Sequence, residues 1–215
     1  MSWSVSVAGL SFALVAGVLR LFVLGGRVRL LEGLAITDAL TGAYNRRHLD
    51  ECLSTAIQRR ARHGESAALL LMDVDRFKEI NDSLGHAAGD RVLKSIAAVV
   101  RSRARRMDTL FRSGGEEFAL LLTGADLRDA TAVAEELRLA IERSSPIDGG
   151  LSVSIGVSDL DAGHTAESWL HDADVALYLA KRAGRNRVAA RDGHIGPYRS
   201  EAAVVTSIPA AAPFH

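Results

Sequence analysis

Two clusters of acidic residues are the part of this chain best suited to metal chemistry. The first follows the apolar run at residues 69–72, which ends in Asp73 and, two residues later, Asp75. Side chains two residues apart on an extended strand point to the same side, and an acid at the carboxyl end of a buried strand commonly contributes to a metal site. We expect that role for Asp73, and we expect Asp75 to cap a helix that begins at Arg76.

The second cluster is Gly114-Gly115-Glu116-Glu117, which lies between two apolar segments. A Gly-Gly step between apolar segments predicts a β-hairpin, and glycines allow a nucleotide or another chain to approach the backbone closely. Adjacent glutamates repel each other, and a divalent cation would relieve that repulsion. The alternative interpretation is an exposed polar turn, in which glutamate is also common.

Taken together, the two clusters indicate nucleotide chemistry. Asp73, Glu116 and Glu117 offer the oxygen ligands that Mg²⁺ prefers, and Mg²⁺ keeps substrate phosphates among its ligands. Two such ions polarise phosphates and activate a hydroxyl for in-line attack, which favours phosphoryl or nucleotidyl transfer. Lys181 and Arg185 lie four residues apart and are spaced to contact a triphosphate. Their alternative role is to offset the dipole of a helix end.

The composition excludes several other classes of protein. The 215 residues are 48% hydrophobic and 24% charged, which excludes a disordered or fibrous chain. A formal net charge of +0 argues against nucleic-acid binding through bulk electrostatics. The single cysteine, Cys52, excludes an internal disulfide and a cysteine-based zinc site. The sequence also lacks the GxxxxGK[ST] and GxGxxG phosphate-binding loops.

Hydrophobic periodicity predicts alternating helices and strands over residues 37–190, which we take as one domain of the α/β or α+β class. Helices are predicted near residues 45–62, 76–83, 87–104, 126–143 and 166–182. Strands are predicted near residues 67–74, 108–112, 117–123, 150–157 and 186–190.

The N-terminal segment has the properties of a membrane-spanning helix. Residues 1–19 carry no charged side chain, and the segment from Trp3 to Leu24 is long enough to cross a bilayer. Arg27 and Arg29 follow directly, so the positive-inside rule places the rest of the chain in the cytoplasm. We therefore predict a transmembrane helix over residues 1–26.

The two remaining segments flank the predicted domain. Residues 27–36 are predicted to form a short helical linker. Residues 191–215 hold three of the four prolines and show no helical period, which is typical of a disordered tail.

Six motifs follow one another with the order and gaps of a known family. They are TDALTGAYNRR at 37–47, MDVDRFKEIND at 72–82, GHAAGD at 85–90, RSGGEEF at 112–118, LSVSIGVS at 151–158 and ADVALYLAKRAGRNRV at 173–188. On these residues the chain resembles the GGDEF family of diguanylate cyclases, here with glutamate in the third position of the signature. The resemblance implies an α+β fold like that of nucleotidyl cyclases and the polymerase palm, in which helices flank a central, mostly antiparallel sheet. In this chain the hydrophobic N-terminal helix would precede that fold.

The resemblance also implies an activity and its partners. Family members condense two GTP molecules into cyclic di-GMP with release of two pyrophosphates. Each domain holds one GTP, so catalysis requires a homodimer, with two Mg²⁺ ions per active site and Mn²⁺ as an alternative metal. The expected location is the bacterial cytoplasmic membrane, as a single-pass protein. The alternative function is a non-catalytic receptor for cyclic di-GMP.

The resemblance assigns the metal-binding and catalytic roles to the two acidic clusters. Asp73 and Glu116 correspond to Mg²⁺ ligands together with the Val74 carbonyl, and Glu117 is a further candidate. Either Glu116 or Glu117 would deprotonate the attacking 3′-hydroxyl, and the sequence leaves this choice open because coupled carboxylates share such a task.

Other positions correspond to nucleotide-binding residues of the family. Asn81 and Asp90 match the guanine-binding pair, and a carboxylate suits the N–H groups of guanine N1 and N2; the alternative is that both residues cap helices. Gly114 and Gly115 would lie under the nucleotide. The phosphate-binding candidates are Phe77, through its backbone N–H, Lys78, Lys181 and Arg185.

An Arg-x-x-Asp motif precedes the signature. Arg105 and Asp108 occupy the position at which many family members bind the inhibitory product, with five residues between Asp108 and Gly114. Arginine can contact the guanine O6 and N7 edge or a phosphate, and aspartate can accept from N1 and N2. The alternative is a solvated run of charge, and Arg47 to Asp50 matches the same pattern.

Overall fold

The longest buried apolar run forms the central strand of a six-stranded sheet. The computed structural model describes residues 36–148 and 150–196. Strand β2, Ala67–Val74, has the predicted bounds, and every one of its residues except Leu71 is buried. Because helices cover both faces of this strand, it shows a continuous apolar run rather than an alternating pattern.

The sheet is mixed, with antiparallel pairing at its centre. Its order is β1-β3-β4-β2-β5-β6. The outer pairs β1–β3 and β5–β6 are parallel, and the three inner pairs are antiparallel. The predicted α+β architecture is therefore confirmed. The other strands are β1 Tyr44–Asn45, β3 Thr109–Arg112, β4 Glu117–Thr123, β5 Val153–Asp159 and β6 Val188–Ala190.

Five helices connect these strands in the described part of the chain, each within one residue of its predicted bounds. They are α1 Arg46–His63, α2 Phe77–Leu84, α3 His86–Arg103, α4 Leu127–Arg143 and α5 Ala166–Arg182. Local capping explains this agreement at two helix starts. The Asn45 side chain accepts from the His48 N–H, and Thr165 forms a capping box with Ser168.

The core lies in two layers, one on each face of the sheet. Leu70 and Met72 of β2 contribute to the layer under α3 and α4, whereas Leu69 contributes to the layer under α1 and α5. Trp169 of α5 is fully buried in the second layer, where its indole N–H donates to the Ser158 carbonyl at 3.1 Å. The helices thereby fix the ends of the strands, where the polar residues collect.

Gly156 sets the distance between α5 and the sheet. A Cβ atom at this position would lie 2.2 Å from both the Ala173 carbonyl oxygen and the Leu177 nitrogen. The helix backbone therefore rests directly on β5, a separation that only glycine permits. This close contact brings the C-terminal turn of α5, with Lys181, next to the end of β2.

The end of the domain differs from the prediction. Residues 191–196, expected to be disordered, fold back onto the sheet. The Arg191 N–H donates to the Val157 carbonyl at 2.9 Å, and the Gly196 N–H donates to the Val188 carbonyl at 2.9 Å. These two backbone bonds extend the folded part past residue 190, a contact that composition alone does not reveal.

Among the residues that the structure describes, no helix combines the length and the apolar character needed to cross a bilayer. The predicted transmembrane helix over residues 1–26 lies outside the described residues, as do residues 27–35 of the predicted linker and residues 197–215 of the predicted tail.

Candidate functional site

The carboxyl end of β2 places Asp73 at the edge of the sheet beside α5. Asp73 is 9% exposed and pairs across the strands with Glu117 of β4 and Ser154 of β5. Its Oδ2 atom lies 2.9 Å from the Lys181 Nζ. Opposite residues of an antiparallel pair present their side chains to the same face, so Asp73 and Glu117 share the face covered by α5. The predicted metal ligand and the predicted phosphate-binding lysine are in direct contact.

The prediction that Asp75 caps the next helix is wrong. Helix α2 begins at Phe77, and its N-cap is Arg76, which has a left-handed φ of 56° and no side-chain capping bond. The Asp75 carboxylate instead accepts from the hydroxyls of Ser152 and Ser154, each at 2.7 Å. Those donors keep a buried carboxylate hydrogen-bonded, and they direct it toward β5.

The glycine–glutamate segment forms the predicted hairpin loop between β3 and β4. The Ser113 N–H donates to the Glu117 carbonyl at 3.0 Å and closes the loop. The Gly115 carbonyl accepts from the Arg112 guanidinium at 3.1 Å from Nε and 2.6 Å from Nη2. Arg112 Nη1 also donates to both oxygens of Asp38 at 3.1 Å. Arg112 therefore ties the loop to the start of the domain.

Asp38 and Arg112 position the hairpin loop, a role not predicted from the sequence although both lie in the quoted motifs. Burial by itself raises the pKa of Asp38, but hydrogen bonds from Thr41 and Arg112 outweigh it, and the pKa lies below its ordinary value. A carboxylate with a lowered pKa contributes stability above its unfolded pKa and loses it only as the pH falls through the folded value. The contact that holds the loop is therefore intact at neutral pH.

The two glutamates lie where β4 begins, beside the end of β2. The Glu116 carbonyl accepts from the Val74 N–H at 3.4 Å, and the Glu116 side chain is half-buried. Glu117 is exposed, and its carboxylate lies over Gly114, where an added Cβ would be 2.6 Å from Oε2. A side chain at position 114 would therefore displace the Glu117 carboxylate from this position. A cavity of about 240 Å³ opens between Glu117 and α5.

The carboxylates do not form one compact cluster. In the part of the chain that the structure describes, no three His, Cys, Asp or Glu side chains are grouped so that they could hold a metal ion. The expectation that the side chains of Asp73, Glu116 and Glu117 converge is therefore corrected. Asp73 contacts Lys181, and the carboxylate of Glu117 lies over Gly114.

The donor atoms at this edge nevertheless fit a magnesium ion. Mg²⁺ is usually bound through one or two carboxylates together with substrate phosphates, rather than by an all-protein cage. Asp73 and Glu116 supply such carboxylates, and the backbone bond between Val74 and Glu116 holds the two segments together. Asp73 and Glu116 are therefore the residues at this edge that could hold a divalent metal ion.

Helices α2 and α3 place the predicted guanine-binding residue Asn81 against Gly89, which directly precedes the second candidate, Asp90. The Oδ1 atom of Asn81 is buried and has no hydrogen-bond partner among the described residues. It faces Gly89, where an added Cβ would lie 2.1 Å from Oδ1 and 3.0 Å from the Phe77 ring. Asp90 follows and is exposed. A buried polar atom without a partner is costly, so this arrangement is suited to a hydrogen-bonding ligand.

The alternative role of helix capping does not apply to Asn81 or Asp90. The N-cap positions of α2 and α3 are Arg76 and Gly85, and both candidates lie inside their helices. Gly89 was missed by the sequence analysis. Its only sequence signal is its place in the GHAAGD segment, because its importance depends on contact with the neighbouring helix.

The predicted phosphate-binding residues come from two places. Lys78 is exposed in the first turn of α2. Lys181 lies in the last turn of α5, where a cation offsets the helix dipole, but its ammonium also contacts Asp73. Arg185 follows α5, is exposed and has a left-handed φ of 63°.

Arg105 and Asp108 lie apart from this site. They form a turn in which Asp108 Oδ2 accepts from the Arg105 N–H at 2.7 Å, and the Asp108 N–H donates to the Arg105 carbonyl at 3.0 Å. The turn precedes β3, whereas the hairpin loop follows it, so the two sites lie at opposite ends of that strand. Arg105 is exposed.

Comparison with protein-family models matches residues 35–187 to the family described as diguanylate cyclase, GGDEF domain. The chain is similar to the diguanylate cyclase DgcP of Pseudomonas aeruginosa, with 42% identity over 160 residues, which cover 72% of this chain. The chain spans 24% of the length of DgcP and no more than 46% of several further curated relatives.

Two solved structures are similar over the folded domain. The GGDEF domain of DgcB from Caulobacter crescentus, in complex with c-di-GMP, superposes with a TM-score of 0.70 at 33% identity, covering 74% of this chain and 97% of that one. The active GGEEF domain of a diguanylate cyclase from Vibrio cholerae gives a TM-score of 0.66 at 33% identity, covering 68% of this chain and 96% of that one.

Proposed function

The chain belongs to the GGDEF family of diguanylate cyclases, and on that premise we propose that it condenses two GTP molecules into cyclic di-GMP with release of two pyrophosphates. One observation supports this most strongly. The end of β2, the glycine–glutamate hairpin and the end of α5 meet at one edge of the sheet, where Lys181 Nζ lies 2.9 Å from Asp73 Oδ2. Oxygen donors for a divalent ion and cations for phosphates therefore share that edge.

The proposed reaction is two equivalent nucleotidyl transfers. Each GTP 3′-oxygen forms a bond to the α-phosphorus of the other GTP, and the bond from that phosphorus to the oxygen bridging to the β-phosphate breaks, releasing pyrophosphate. The proton of the 3′-hydroxyl passes to Glu116 or Glu117. A divalent metal, Mg²⁺ or Mn²⁺ with two ions per site, supplies charge neutralisation and polarisation of the phosphates when bound. Asp73, the Val74 carbonyl and Glu116 would hold it.

Binding and orientation fall to the remaining residues. Asn81 would accept and donate hydrogen bonds along the guanine edge, and the Asp90 carboxylate would accept from guanine N1 and N2, which disfavours adenine because adenine has no N1–H to donate. Gly114 and Gly115 would lie under the nucleotide. The phosphates would be bound by the Phe77 N–H, Lys78, Lys181 and Arg185.

The reaction further requires a homodimer. One domain carries a single set of nucleotide-binding residues, so a second GTP must be presented by a second copy of the chain. Two equivalent transfers between facing sites require two-fold symmetry, which is also the commonest arrangement of soluble oligomers.

The test is to incubate the full chain with GTP and Mg²⁺ and identify the products. We expect one cyclic di-GMP and two pyrophosphates for each pair of GTP molecules, and no product from ATP. At protein concentrations where most of the chain is monomeric, we expect the rate to rise more than in proportion to the protein concentration. Unchanged GTP at concentrations where the chain is dimeric, with cyclic di-GMP still bound, would favour the receptor function instead.

We also propose that Arg105 and Asp108 bind the product and inhibit the enzyme. Their turn presents the Arg105 side chain to solvent at the far end of β3. Arg105→Ala is expected to raise the cyclic di-GMP concentration that gives half-maximal inhibition at least about tenfold, because a charge-assisted guanidinium contact is lost. Inhibition curves with added product measure this shift.

Arg47→Ala is the matched control, because Arg47 belongs to the second Arg-x-x-Asp pattern, within α1. That variant is expected to be inhibited like the wild type. Equal inhibition of the wild type and the Arg105 variant would remove the product site from the proposal.

Finally, we propose that residues 1–26 hold the chain in the bacterial cytoplasmic membrane, with the catalytic domain in the cytoplasm. The proposal rests on the uncharged segment over residues 1–19 and the arginines that follow it. The full chain is expected in the membrane fraction, and a chain lacking residues 1–26 in the supernatant. Recovery of both chains in the supernatant would contradict the proposal.

A further inference from the structure

Asp75 is buried next to the proposed active site and has no role in the chemistry described above. Its side chain is held by three donors. Oδ1 accepts from the Ser154 hydroxyl at 2.7 Å, and Oδ2 accepts from the Ser152 hydroxyl at 2.7 Å and from the Asn186 N–H at 2.9 Å. The last of these bonds joins two segments 111 residues apart in the sequence. The carboxylate therefore links the end of β2 to the turn after α5.

That turn has an unusual backbone. Gly184, Arg185 and Asn186 have successive φ angles of 121°, 63° and 46°. Residues other than glycine in the left-handed region cost free energy and persist where the surrounding structure holds them. Two such residues in succession therefore need external contacts, and the bond from the Asn186 N–H to Asp75 is one of them.

The Asn186 side chain provides the other contacts. Its Oδ1 accepts from Arg138 Nη1 at 2.7 Å, and its Nδ2 donates to Glu142 Oε1 at 2.8 Å. Arg138 is itself fixed by Glu135, with Nη2 to Oε1 at 2.6 Å, and by Glu142, with Nη1 to Oε2 at 3.1 Å. The turn is thus held by β2 from one side and by α4 from the other.

The residue between these anchors is Arg185, a proposed phosphate-binding residue. It lines a cavity of about 540 Å³ together with Asp75, Arg76 and Ser152. The direction of its side chain depends on the backbone of the turn, because the residue's own helix ends at Arg182. A contact that holds the Asn186 N–H therefore also restricts the backbone of the neighbouring Arg185.

We infer that Asp75 is a positioning residue for substrate binding: by accepting the Asn186 N–H, it sets the turn that directs Arg185 toward the phosphates of GTP. The inference rests on the proposed function. The two aspartates at the end of β2 then have different roles. Asp73 contacts the side chain of Lys181, whereas Asp75 contacts the backbone beside Arg185.

The test compares nucleotide affinities of the full-length variants, measured by displacement of a fluorescent GTP analogue. Asp75→Ala is expected to weaken GTP binding at least about tenfold, the loss typical of a charge-assisted contact. Guanosine, which has no phosphates, is expected to bind within about twofold of wild type. Equal losses for GTP and guanosine would indicate a general structural role and overturn the inference.

Asp75→Asn separates hydrogen bonding from charge. The amide oxygen can still accept from Ser152 and the Asn186 N–H, and the amide group can donate to the Ser154 hydroxyl, which also accepts. This variant is expected to retain GTP affinity within about threefold of wild type. A loss as large as that of Asp75→Ala would show that accepting the Asn186 N–H does not account for the effect of Asp75, which would overturn the positioning role.

Arg185→Ala and the Asp75→Ala/Arg185→Ala double variant complete a double-mutant cycle. If Asp75 acts through Arg185, the double variant is expected to bind GTP within about twofold of Arg185→Ala alone. If the losses of GTP affinity in the two single variants add up in the double variant, and the wild type binds GTP normally, the positioning role of Asp75 is overturned but the proposed function is not. Failure of the wild type to bind GTP would overturn the proposed function and this role with it.

Two further variants control for stability. Asp126→Ala removes the side chain that accepts the Asp129 N–H at the start of α4. It is expected to lose stability while keeping GTP affinity. If Asp75→Ala does not fold, Asp75→Ser takes its place. The serine keeps a hydroxyl near Ser152 and Ser154 but is too short to accept from the Asn186 N–H. The same tenfold loss of GTP affinity is expected.

Discussion

Replacing Asp73 with asparagine is expected to lower the rate of cyclic di-GMP formation by at least about a hundredfold, as for other groups that stabilise transition-state charge directly. The amide has nearly the same shape but lacks the charge that binds a hard cation. Lys181 also loses its partner at 2.9 Å. The Lys181 side chain is 34% exposed, so water can replace the lost carboxylate. The free energy of unfolding is therefore expected to change by no more than about 1 kcal/mol. Initial rates and thermal unfolding measure the two effects.

Asp159→Asn is the matched control for the loss of an ion pair. Asp159 ends β5, and its carboxylate accepts from Arg191 Nε at 2.6 Å. It pairs with Ala68 at the opposite end of the sheet from Asp73. Its rate is expected to stay within about twofold of wild type. A normal rate in Asp73→Asn, or equal losses in the two variants, would contradict the assignment of Asp73.

Replacing Gly89 with alanine is expected to weaken GTP binding at least about tenfold without unfolding the chain. The new Cβ would lie 2.1 Å from Asn81 Oδ1, so the amide must leave the position from which it would contact guanine. Loss of such a contact typically costs a factor of ten or more in discrimination. Alanine favours the helix over glycine by about 0.5–1 kcal/mol, which offsets the crowding against Phe77. Affinities for GTP and ATP, with thermal unfolding, measure both effects.

The contact is tested by combining Gly89→Ala with Asn81→Ala. Once the amide is absent, the added methyl group has room, and the double variant is expected to bind GTP like Asn81→Ala. A further tenfold loss in the double variant would show that Gly89 acts through something other than Asn81.

The sequence predicts the elements well where local signals are strong. The bounds of β2 and α5 follow from an uninterrupted apolar run and from a helical period that begins after a capping threonine. Strand β1 was missed because two residues are too few to show an alternating pattern. Both of its residues pair with β3, a contact between segments far apart in the sequence.

Long-range contacts explain what the sequence could not show at the site. The cap predicted for Asp75 is a local interaction, but the side chain accepts from Ser152, directly before β5, and from Ser154 in β5, which are 77 and 79 residues away. Asp38 and Arg112 are 74 residues apart, and nothing in either segment indicates their pairing. Residue types at the end of β2 predicted the chemistry, whereas their actual partners depend on how α5 and the hairpin pack against it.

A crystal structure of the full chain with Mg²⁺ and a GTP analogue that has a methylene group between the α- and β-phosphorus atoms would show the proposed active site in its loaded state. We expect Asp73 to leave Lys181 for the metal, which also contacts the Val74 carbonyl and Glu116, with guanine against Asn81 and Asp90. A nucleotide bound elsewhere, with Asp73 still paired to Lys181, would contradict the proposed active site.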